Sequence, residues 1–294
     1  MPRVLIAGCG YVGVATAELF RDRGWEVEGW TASPESARAL GGKRFPVRAV
    51  DISDLHAVAS AASGFDAVIQ SVSSRGGTAN VYRRIYKEGA KNLATACSGS
   101  PLLFISSTSV YGQTSGEWVS ETSIAEPARE TGRVLRETEQ FVLEQGGAVA
   151  RVAGIYGPAR SSLLRKFLDG TARITGTGDR FINQVHRDDV AAALFVLMQN
   201  HLASKEARDP SEPRIFNVSD NQPLTERECY AALAAQFAGE MPPSAAAPVD
   251  RKRGNTNKRV SSEKLQRLGW RPRFPDFPTG LRESVAPEAQ DSGK

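Results

Sequence analysis

Three glycines near the start of the chain have the spacing of a dinucleotide-binding loop. Gly8, Gly10 and Gly13 directly follow residues 4–7, a short apolar run typical of a buried strand. In such a loop the first glycine allows a tight turn, the second lets a pyrophosphate approach the backbone, and the third lets a helix pack closely. The following helix offers N–H groups and a positive dipole end to phosphates. The sequence therefore predicts a dinucleotide site, with a glycine turn that serves only packing as the alternative.

A second group of residues carries hydroxyls. Ser106, Ser107 and Thr108 lie at the end of a segment predicted as a strand over 102–106. Because ligands bind off the carboxyl ends of strands in an open α/β sheet, these hydroxyls are candidates to contact a bound molecule.

The segments around these residues alternate between strand and helix patterns. Strands are predicted at 4–7, 26–30, 45–50, 66–71, 102–106 and 148–152, with helices at 34–40, 55–62, 81–97 and 130–145. This alternation predicts an α/β fold, a doubly wound parallel sheet with helices on both faces. Later helices at 163–168, 188–199, 225–237 and 261–268, with a strand at 215–218, predict a small C-terminal α/β lobe.

The predicted division of the chain follows from this pattern. Residues 1–158 are assigned to a Rossmann domain, to which a segment at about 180–220 returns, and residues 159–285 mainly to the substrate lobe. Residues 286–294 are expected to form a disordered tail.

The composition excludes several classes of protein. The 294 residues are 40% apolar, enough for one large domain with a lobe. No apolar run approaches the ~20 residues that span a bilayer, and the N-terminal segment is a strand rather than a signal peptide, so a cytoplasmic protein is expected. The three cysteines form no metal or disulfide framework. Cys9 is predicted to be a small buried filler, with an oxidation-sensitive thiol as the alternative.

The net charge of +4 is modest. Basic residues cluster at 251–253 and 258–259, without the interleaved aromatic residues that stack on bases. A solvated loop or a site for an anionic small molecule is therefore favoured over nucleic-acid binding.

Three strings of residues behind the glycine loop resemble a known superfamily. They read Leu-Phe-Ile-Ser-Ser-Thr-Ser-Val-Tyr-Gly at 103–112, Arg-Val-Ala-Gly-Ile-Tyr-Gly-Pro at 151–158 and Asn-Gln-Val-His-Arg-Asp-Asp-Val at 183–190. In this order they resemble the extended short-chain dehydrogenase/reductases, which include NAD(P)-dependent sugar epimerases, dehydratases and reductases. The segment at 257–270 is similar to the C-terminal lobe of that superfamily. The glycine spacing is that of its atypical members.

The resemblance implies a set of cofactor-binding residues. Asp51 and Ile52 would contact adenine, residues 71–73 would lie beside the ribose and phosphates, and residues 153–155 beside the nicotinamide amide. The full set implied is Gly8, Gly10, Tyr11, Val12, Gly13, Asp51, Ile52, Ser71, Val72, Ser73, Ser106, Ala153, Gly154 and Ile155. A homodimer through the helices at 81–97 and 130–145 is also implied.

The resemblance also implies a catalytic Ser107 and a substrate cleft, but the superfamily's Tyr-x-x-x-Lys pair is missing. The implied cleft residues are Ser107, Thr108, Tyr111, Asn183 and His186. Thr131 stands at the tyrosine position and Leu135 at the lysine position. A threonine hydroxyl is too weak an acid to replace a phenol, and leucine cannot bind a ribose or lower a neighbour's pKa.

Several residues are weighed as substitutes for that pair. Tyr86 stands where the superfamily has asparagine and is a candidate acid, although packing is the favoured role for an aromatic residue on a helix. Tyr111 and Tyr156 are further candidates, with turn packing favoured. Arg133 and Arg136 would restore positive charge near the ribose, with solvated helix arginines favoured.

His186 has two interpretations. Its imidazole is a candidate proton carrier, but a structural hydrogen bond that closes the cleft is favoured. Asp188 and Asp189 precede an apolar helix, so N-capping is expected to explain at least one of them.

The end of the second strand bears on cofactor choice. An acidic residue there selects NAD, and the segment at 30–33 has none. Thr31 and Ser33 can bond a 2′-phosphate, with Arg38 as a charge partner, so NADP is favoured over NAD.

Two functions are consistent with the sequence. The favoured one is an NAD(P)-dependent oxidoreductase or epimerase/dehydratase that acts on an alcohol, carbonyl or sugar-like molecule. The alternative is a dinucleotide-binding sensor or regulatory protein without catalysis, which the missing tyrosine and lysine favour.

Overall fold

A computed structural model describes residues 1–74, 76–203, 214–246 and 255–285 of the chain. The strands are β1 (Arg3–Ala7), β2 (Glu26–Thr31), β3 (Val47–Ala49), β4 (Ala67–Gln70), β5 (Leu102–Ser107), β6 (Trp118–Val119), β7 (Ala148–Val152), β8 (Gly154–Tyr156), β9 (Ile174–Thr175), β10 (Phe181–Ile182), β11 (Gln184–His186), β12 (Ile215–Val218), β13 (Leu224–Thr225), β14 (Ser244–Ala245) and β15 (Arg259–Val260). The helices are α1 (Tyr11–Asp22), α2 (Pro34–Ala39), α3 (Leu55–Ala61), α4 (Ala79–Tyr82), α5 (Gly89–Ala96), α6 (Glu130–Glu144), α7 (Ser162–Leu168), α8 (Arg187–Ala203), α9 (Glu226–Phe237), α10 (Glu263–Arg267) and α11 (Phe277–Gly280), with π-helices at Arg83–Glu88 and Leu281–Val285 and a 3₁₀ turn at Thr108–Val110.

The central sheet of the described residues confirms the predicted α/β class. Its seven strands run in the order β3-β2-β1-β4-β5-β7-β12, and every pair is parallel. Chain order reverses between β1 and β4, so the switch point, where ligands bind in such sheets, lies at the carboxyl ends of these two strands.

Apolar side chains cover both faces of this sheet. Along β1, Val4 and Ile6 belong to one buried cluster, while Leu5 and Ala7 belong to another, as the alternation of side chains along a strand requires. A third cluster, which includes Tyr156 and Phe277, gathers residues mostly from beyond residue 158. The division at residue 158 stays a prediction.

The predicted helix at 81–97 is interrupted. Its middle, Arg83–Glu88, is a π-helix between α4 and α5. The buried Gln70 side chain donates Nε2 to the carbonyls of Ile85 (3.3 Å) and Tyr86 (3.0 Å). The Gln70 amide therefore satisfies backbone carbonyls of the π-helical turn. Such turns are frequent near functional sites.

The expectation that Asp188 or Asp189 caps a helix is wrong. Helix α8 begins at Arg187, so both aspartates lie within its first turn. The buried Asp189 carboxylate accepts instead from the backbone N–H groups of Arg273 (2.6 Å) and Phe274 (3.0 Å). It therefore ties α8 to a segment more than eighty residues away. Burial raises its pKa to about 6.

Other expectations have mixed outcomes. Gly24, which follows the end of α1, has a φ of +82°, a conformation that favours glycine. All three cysteines are free and buried, and burial raises the pKa of the Cys9 thiol to about 12, which favours the filler interpretation. In the parts of the chain that the structure covers, no helix has the length and apolar character needed to cross a membrane. The basic residues at 251–253 and the predicted tail at 286–294 lie outside the described residues.

Candidate functional site

The glycine loop has two positions that only glycine fits. Gly8 has φ +100°, and a Cβ there would lie 2.4 Å from the Val72 nitrogen and 2.5 Å from the Ser71 carbonyl carbon. A Cβ on Gly13 would lie 2.3 Å from the Gly8 oxygen. These glycines therefore make the tight turn and the close helix packing that the spacing predicts.

Gly10, the second glycine of the loop, differs because it borders open space. No atom lies within 4 Å of a Cβ built on Gly10, the N-cap of α1. No side chain caps this helix end, and no acidic residue occupies its first turn. The positive end of α1 therefore lies beside a space that can admit an anion.

The loop is held by β2 and bordered by the end of β4. The Trp30 carbonyl accepts from the N–H groups of Gly8 (3.0 Å) and Cys9 (2.7 Å). The Ser71 N–H donates to the Ala7 carbonyl at 2.7 Å, but the Ser71 hydroxyl oxygen is buried without a hydrogen-bond partner. A buried hydroxyl without a partner costs about 1–3 kcal/mol, so this atom fits a site completed by a ligand.

No carboxylate stands at the end of β2. Glu28, three residues earlier, is buried and accepts from Arg3 (2.8 Å) and Trp30 Nε1 (2.7 Å). The Thr31 hydroxyl donates to the Ser33 carbonyl at 3.3 Å, and the Ser33 hydroxyl caps α2. The exposed Arg38 follows on α2 and pairs with Glu35 at 3.4 Å.

The end of β3 presents the predicted adenine contacts. The Asp51 carboxylate accepts from the Ser53 N–H (2.9 Å) and hydroxyl (2.8 Å), and lies 3.8 Å from the Arg84 guanidinium. Ile52 is buried and packs against Gly89, where a Cβ would lie 2.6 Å from Ile52 Cδ1. Their role toward a cofactor stays a prediction.

Ser107 is half-buried at the end of β5. Its hydroxyl oxygen accepts from the Ser109 N–H at 3.1 Å and so caps the 3₁₀ turn at Thr108–Val110. The hydroxyl hydrogen is left to donate elsewhere, as orientation of a substrate oxygen requires. Thr108 itself is buried.

A buried polar network lies behind Ser107. Ser106 donates to Glu139 at 2.5 Å, and the Arg151 guanidinium donates to the same carboxylate at 2.8–3.3 Å. Arg151 also donates to the Tyr111 hydroxyl (2.9 Å), which lies 2.9 Å from Asn217 Oδ1. The network links β5, α6, β7 and β12 through side chains that are at most 5% exposed.

Tyr111 and Ser106 therefore need reassignment. The Tyr111 ring is completely buried, its hydroxyl is engaged within the network, and burial raises its pKa. It cannot line a substrate cleft, as the resemblance implied. The Ser106 hydroxyl is likewise committed to Glu139.

The positions of the missing Tyr-x-x-x-Lys pair lie on α6. Leu135 is 5% exposed and belongs to the core beneath the sheet, while Thr131 is half-buried one turn earlier. Arg133 donates to the Ala128 carbonyl, and Arg136 pairs with the buried Glu139. Both arginines are thus bonded within the protein.

Tyr86 lies in the π-helix and is 8% exposed. Its hydroxyl accepts from the Ser74 N–H at 3.1 Å, just beyond the end of β4. Its ring contacts those of Tyr82 (5.0 Å) and Phe104 (6.2 Å). These contacts favour the packing role, and the acid role stays untested.

Two residues of the predicted cleft, His186 and Asn183, are bonded within the protein. His186 is fully buried, with Nε2 2.6 Å from the Ser284 hydroxyl and Nδ1 accepting from the Asp188 N–H at 3.2 Å. Burial lowers its pKa to about 4, so the imidazole is neutral near pH 7. Asn183 holds the Lys258 carbonyl (2.8 Å) and the N–H of Val260. The structural interpretation of His186 is therefore favoured over the proton carrier.

Tyr156 is also excluded as a general acid. It is 1% exposed, its hydroxyl donates to the Asp276 carbonyl at 3.2 Å, and burial raises its pKa. The neighbouring residues 153–155 follow β7 and pair with β11 through Gly154 and Ile155. Their contact with a nicotinamide stays a prediction.

The buried network was missed from the sequence. Its only local signal is Arg151, a charged residue within the otherwise apolar strand Ala148–Val152. A charge in a buried strand requires a partner, but the strand itself does not indicate Glu139 or Tyr111.

Comparison with known proteins places the chain among similar folds. A model of the NAD dependent epimerase/dehydratase family matches residues 4–219. Protein YeeZ of Escherichia coli K12 is 29% identical over 292 residues, which cover 94% of this chain and 97% of YeeZ. A structure from Methylobacillus flagellatus, provisionally described as an NAD-dependent epimerase/dehydratase, is 27% identical, with TM-score 0.77 over 100% and 99% of the two chains. UDP-glucose 4-epimerase of Thermus thermophilus, in complex with NAD, is 24% identical, with TM-score 0.75 over 95% and 96%.

Proposed function

The chain belongs to the NAD-dependent epimerase/dehydratase family, and we propose that it binds NAD(P) and performs hydride-transfer chemistry on an alcohol, carbonyl or sugar-like substrate. The observation that carries this proposal is the glycine loop. Its open space at Gly10, beside an uncapped helix end, supports the binding of a pyrophosphate.

The residues at the switch point and those that follow β3 fit a dinucleotide. The unpartnered Ser71 hydroxyl supplies a polar atom beside the loop. Asp51 and Ile52, which follow β3, would contact the adenine. The cofactor, when bound, supplies or accepts a hydride. The protein's part is to hold it at the carboxyl edge and to orient the substrate.

NADP is the proposed form. The end of β2 has hydroxyls at Thr31 and Ser33 and no carboxylate that would repel a 2′-phosphate. Arg38 lies on the following helix as a cationic partner. Its ion pair with Glu35 is exposed and therefore weak, so the guanidinium is available to a stronger anion.

Ser107 is the proposed residue for substrate orientation. Its hydroxyl oxygen accepts from the Ser109 N–H, so its hydrogen is left to donate to a substrate oxygen. The general acid is not assigned, because Thr131 and Leu135 cannot provide one.

An anionic substrate is supported by Lys258. This lysine is 6% exposed and donates to Thr256 Oγ1 at 3.0 Å. Within the described ranges no carboxylate lies within 4 Å of its ammonium, and burial, with Arg180 nearby, lowers its pKa to about 8. A buried cation of this kind is stabilised when an anion binds beside it.

A second candidate function is a non-catalytic dinucleotide sensor. Leu135 favours it, because an apolar core residue occupies the place of the cationic residue that the chemistry uses. Under this proposal the cofactor is bound and not turned over.

The test compares binding with turnover. The purified protein is titrated with NADPH and NADH. A panel of compounds is then screened: carbonyl compounds for oxidation of the reduced cofactor, alcohols for reduction of the oxidised cofactor, and sugar nucleotides for epimerisation or dehydration. We expect micromolar binding, tighter for NADPH, and turnover of at least one panel member. Ser107→Ala is expected to lower that turnover at least about tenfold with unchanged cofactor affinity.

The matched control is Ser109→Ala. It keeps the N–H that bonds Ser107 and removes an exposed neighbouring hydroxyl, so turnover should be retained. Binding without turnover of any panel member would favour the sensor. No binding of either nucleotide would contradict both functions.

A further inference from the structure

The aromatic residue of the glycine loop, Tyr11, has two cationic side chains beside its ring. Tyr11 follows Gly10 as the first residue of α1. The guanidinium carbons of Arg160 and Arg187 lie 5.0 and 5.1 Å from the centroid of its ring. Two arginines that are distant in sequence are therefore held beside the loop that would receive a pyrophosphate.

The turn that carries Arg160 is fixed in place. Gly157 and Arg160 exchange two backbone hydrogen bonds of 3.0 Å, and the Tyr11 hydroxyl donates to the Pro158 carbonyl at 3.0 Å. Gly157 has φ +149°, and a Cβ there would lie 2.8 Å from the Tyr11 hydroxyl and 3.0 Å from His186 Nε2. The turn thus fits directly against the loop and the buried histidine, so the backbone that carries the exposed Arg160 is fixed in place.

The charges around this turn are unbalanced. Arg187 pairs with Asp188 at 2.9 Å, but in the described parts of the chain no carboxylate lies within 4 Å of the Arg160 guanidinium. The N-terminal turn of α1 has no acidic residue either. Two cations and the positive end of a helix therefore share one carboxylate, an arrangement that favours an added anion.

We propose that Arg160, supported by Arg187, is an anion clamp that binds the diphosphate of the dinucleotide at the glycine loop. The proposal rests on the proposed cofactor binding and adds a cationic contact from the segment after β8. Tyr11 acts as the spacer that sets the two guanidinium groups beside the loop. Because residues 153–155 lie just before the turn, the same segment would then contact both the nicotinamide end and the central diphosphate of the cofactor.

The experiment uses competition against bound NADPH with ligands that differ in phosphate. ADP-ribose carries the diphosphate, and adenosine carries no phosphate. The variants are Arg160→Gln and Arg187→Gln. Arg165→Gln is the control, because Arg165 has the same charge and is exposed on α7, five residues after Arg160 in the sequence.

We expect Arg160→Gln to weaken NADPH and ADP-ribose about tenfold, the size of one charge-assisted hydrogen bond. Arg187→Gln is expected to weaken both by a smaller factor, because Asp188 already neutralises part of its charge. Adenosine should bind both variants as it binds the wild type, and Arg165→Gln should change nothing.

Two results would overturn the clamp. The first is an equal affinity of Arg160→Gln and Arg165→Gln for ADP-ribose, while the wild type binds NADPH. The proposed function would then stand without the clamp. The second is equal weakening of adenosine and ADP-ribose, which would place the effect on the adenosine end. A wild type that binds none of these ligands would contradict the proposed function and the clamp together.

Discussion

The two halves of the sheet's carboxyl edge are built in opposite ways. At the ends of β1 and β4, Gly10 borders open space, and the Ser71 hydroxyl is buried without a partner. At the ends of β5 and β7, polar side chains are bonded to one another in the network from Ser106 to Tyr111, and Leu135 fills the neighbouring space.

The difference indicates what each half contributes. A buried polar atom without a partner costs free energy until a ligand bonds it, whereas a satisfied network stabilises the fold with no ligand present. The first half is therefore expected to be a binding region, in which a change at the open position Gly10 spares stability. The network of the second half is expected to be structural, so its loss should lower the stability of the fold.

The largest expected effect comes from breaking the network. Glu139→Ala leaves the buried Arg151 without its carboxylate, so we expect the free energy of unfolding to fall by about 3–5 kcal/mol. Urea denaturation measures this change. The comparison variant is Glu137→Ala, on the same helix as Glu139. It removes an exposed carboxylate that pairs with Lys87, so the free energy of unfolding should fall by less than about 1 kcal/mol. Equal losses in the two variants would contradict the structural role of the network.

The next effect tests the binding half. Gly10→Asp places a carboxylate in the open space beside α1, so NADPH affinity should fall about a hundredfold, or roughly 2.7 kcal/mol. Aspartate is a good N-cap, so stability should change by less than about 0.5 kcal/mol. Fluorescence titration and urea denaturation measure the two quantities. Unchanged NADPH affinity would remove the main support for a cofactor site in this loop.

The smallest effect concerns acid stability near the turn that supports the clamp. His186 has a pKa lowered by burial to about 4, below its unfolded value, so the unfolded state binds more protons between pH 6.5 and 4. Its contribution to stability is therefore lost as pH falls through that range. Asp189, whose pKa is raised to about 6 by burial, acts in the opposite direction.

His186→Gln isolates the histidine contribution. Across pH 6.5 to 4 the wild type should lose on the order of 2 kcal/mol more stability than the variant, measured by urea denaturation at each pH. The residual slope of the variant then reports Asp189 and the other carboxyl groups. Parallel pH profiles of the two proteins would show that His186 is not buried in its neutral form.

The parts of the fold that could be predicted have local causes. The strands of the central sheet are short apolar runs, and the loop after β1 is specified by glycines whose spacing reflects close contacts, as at Gly8 and Gly13. The helix predicted over 225–237 is observed at 226–237, where Thr225 is its N-cap and Glu228 completes a capping box.

The parts that were missed depend on distant partners. Ser106 and Glu139 are 33 residues apart, and Tyr111 and Asn217 are 106 apart, so no local pattern joins them. The π-helix at Arg83–Glu88 depends on Gln70, and Asp189 bonds a segment 84–85 residues away. In each case the role of a polar residue is decided by tertiary contacts, and its neighbours in sequence do not indicate that role.

The burial of all three thiols has a practical consequence. Alkylating reagents attack the thiolate, and burial raises the pKa of Cys9 and Cys229 to about 12 and that of Cys97 to about 11. The folded chain should therefore resist iodoacetamide, and each thiol should be labelled only when its own part of the molecule opens. Cys9 lies in the glycine loop, Cys97 at the end of α5 and Cys229 within α9. Labelling rates resolved by mass spectrometry would therefore report the rate of local opening in three regions of the same unmodified protein.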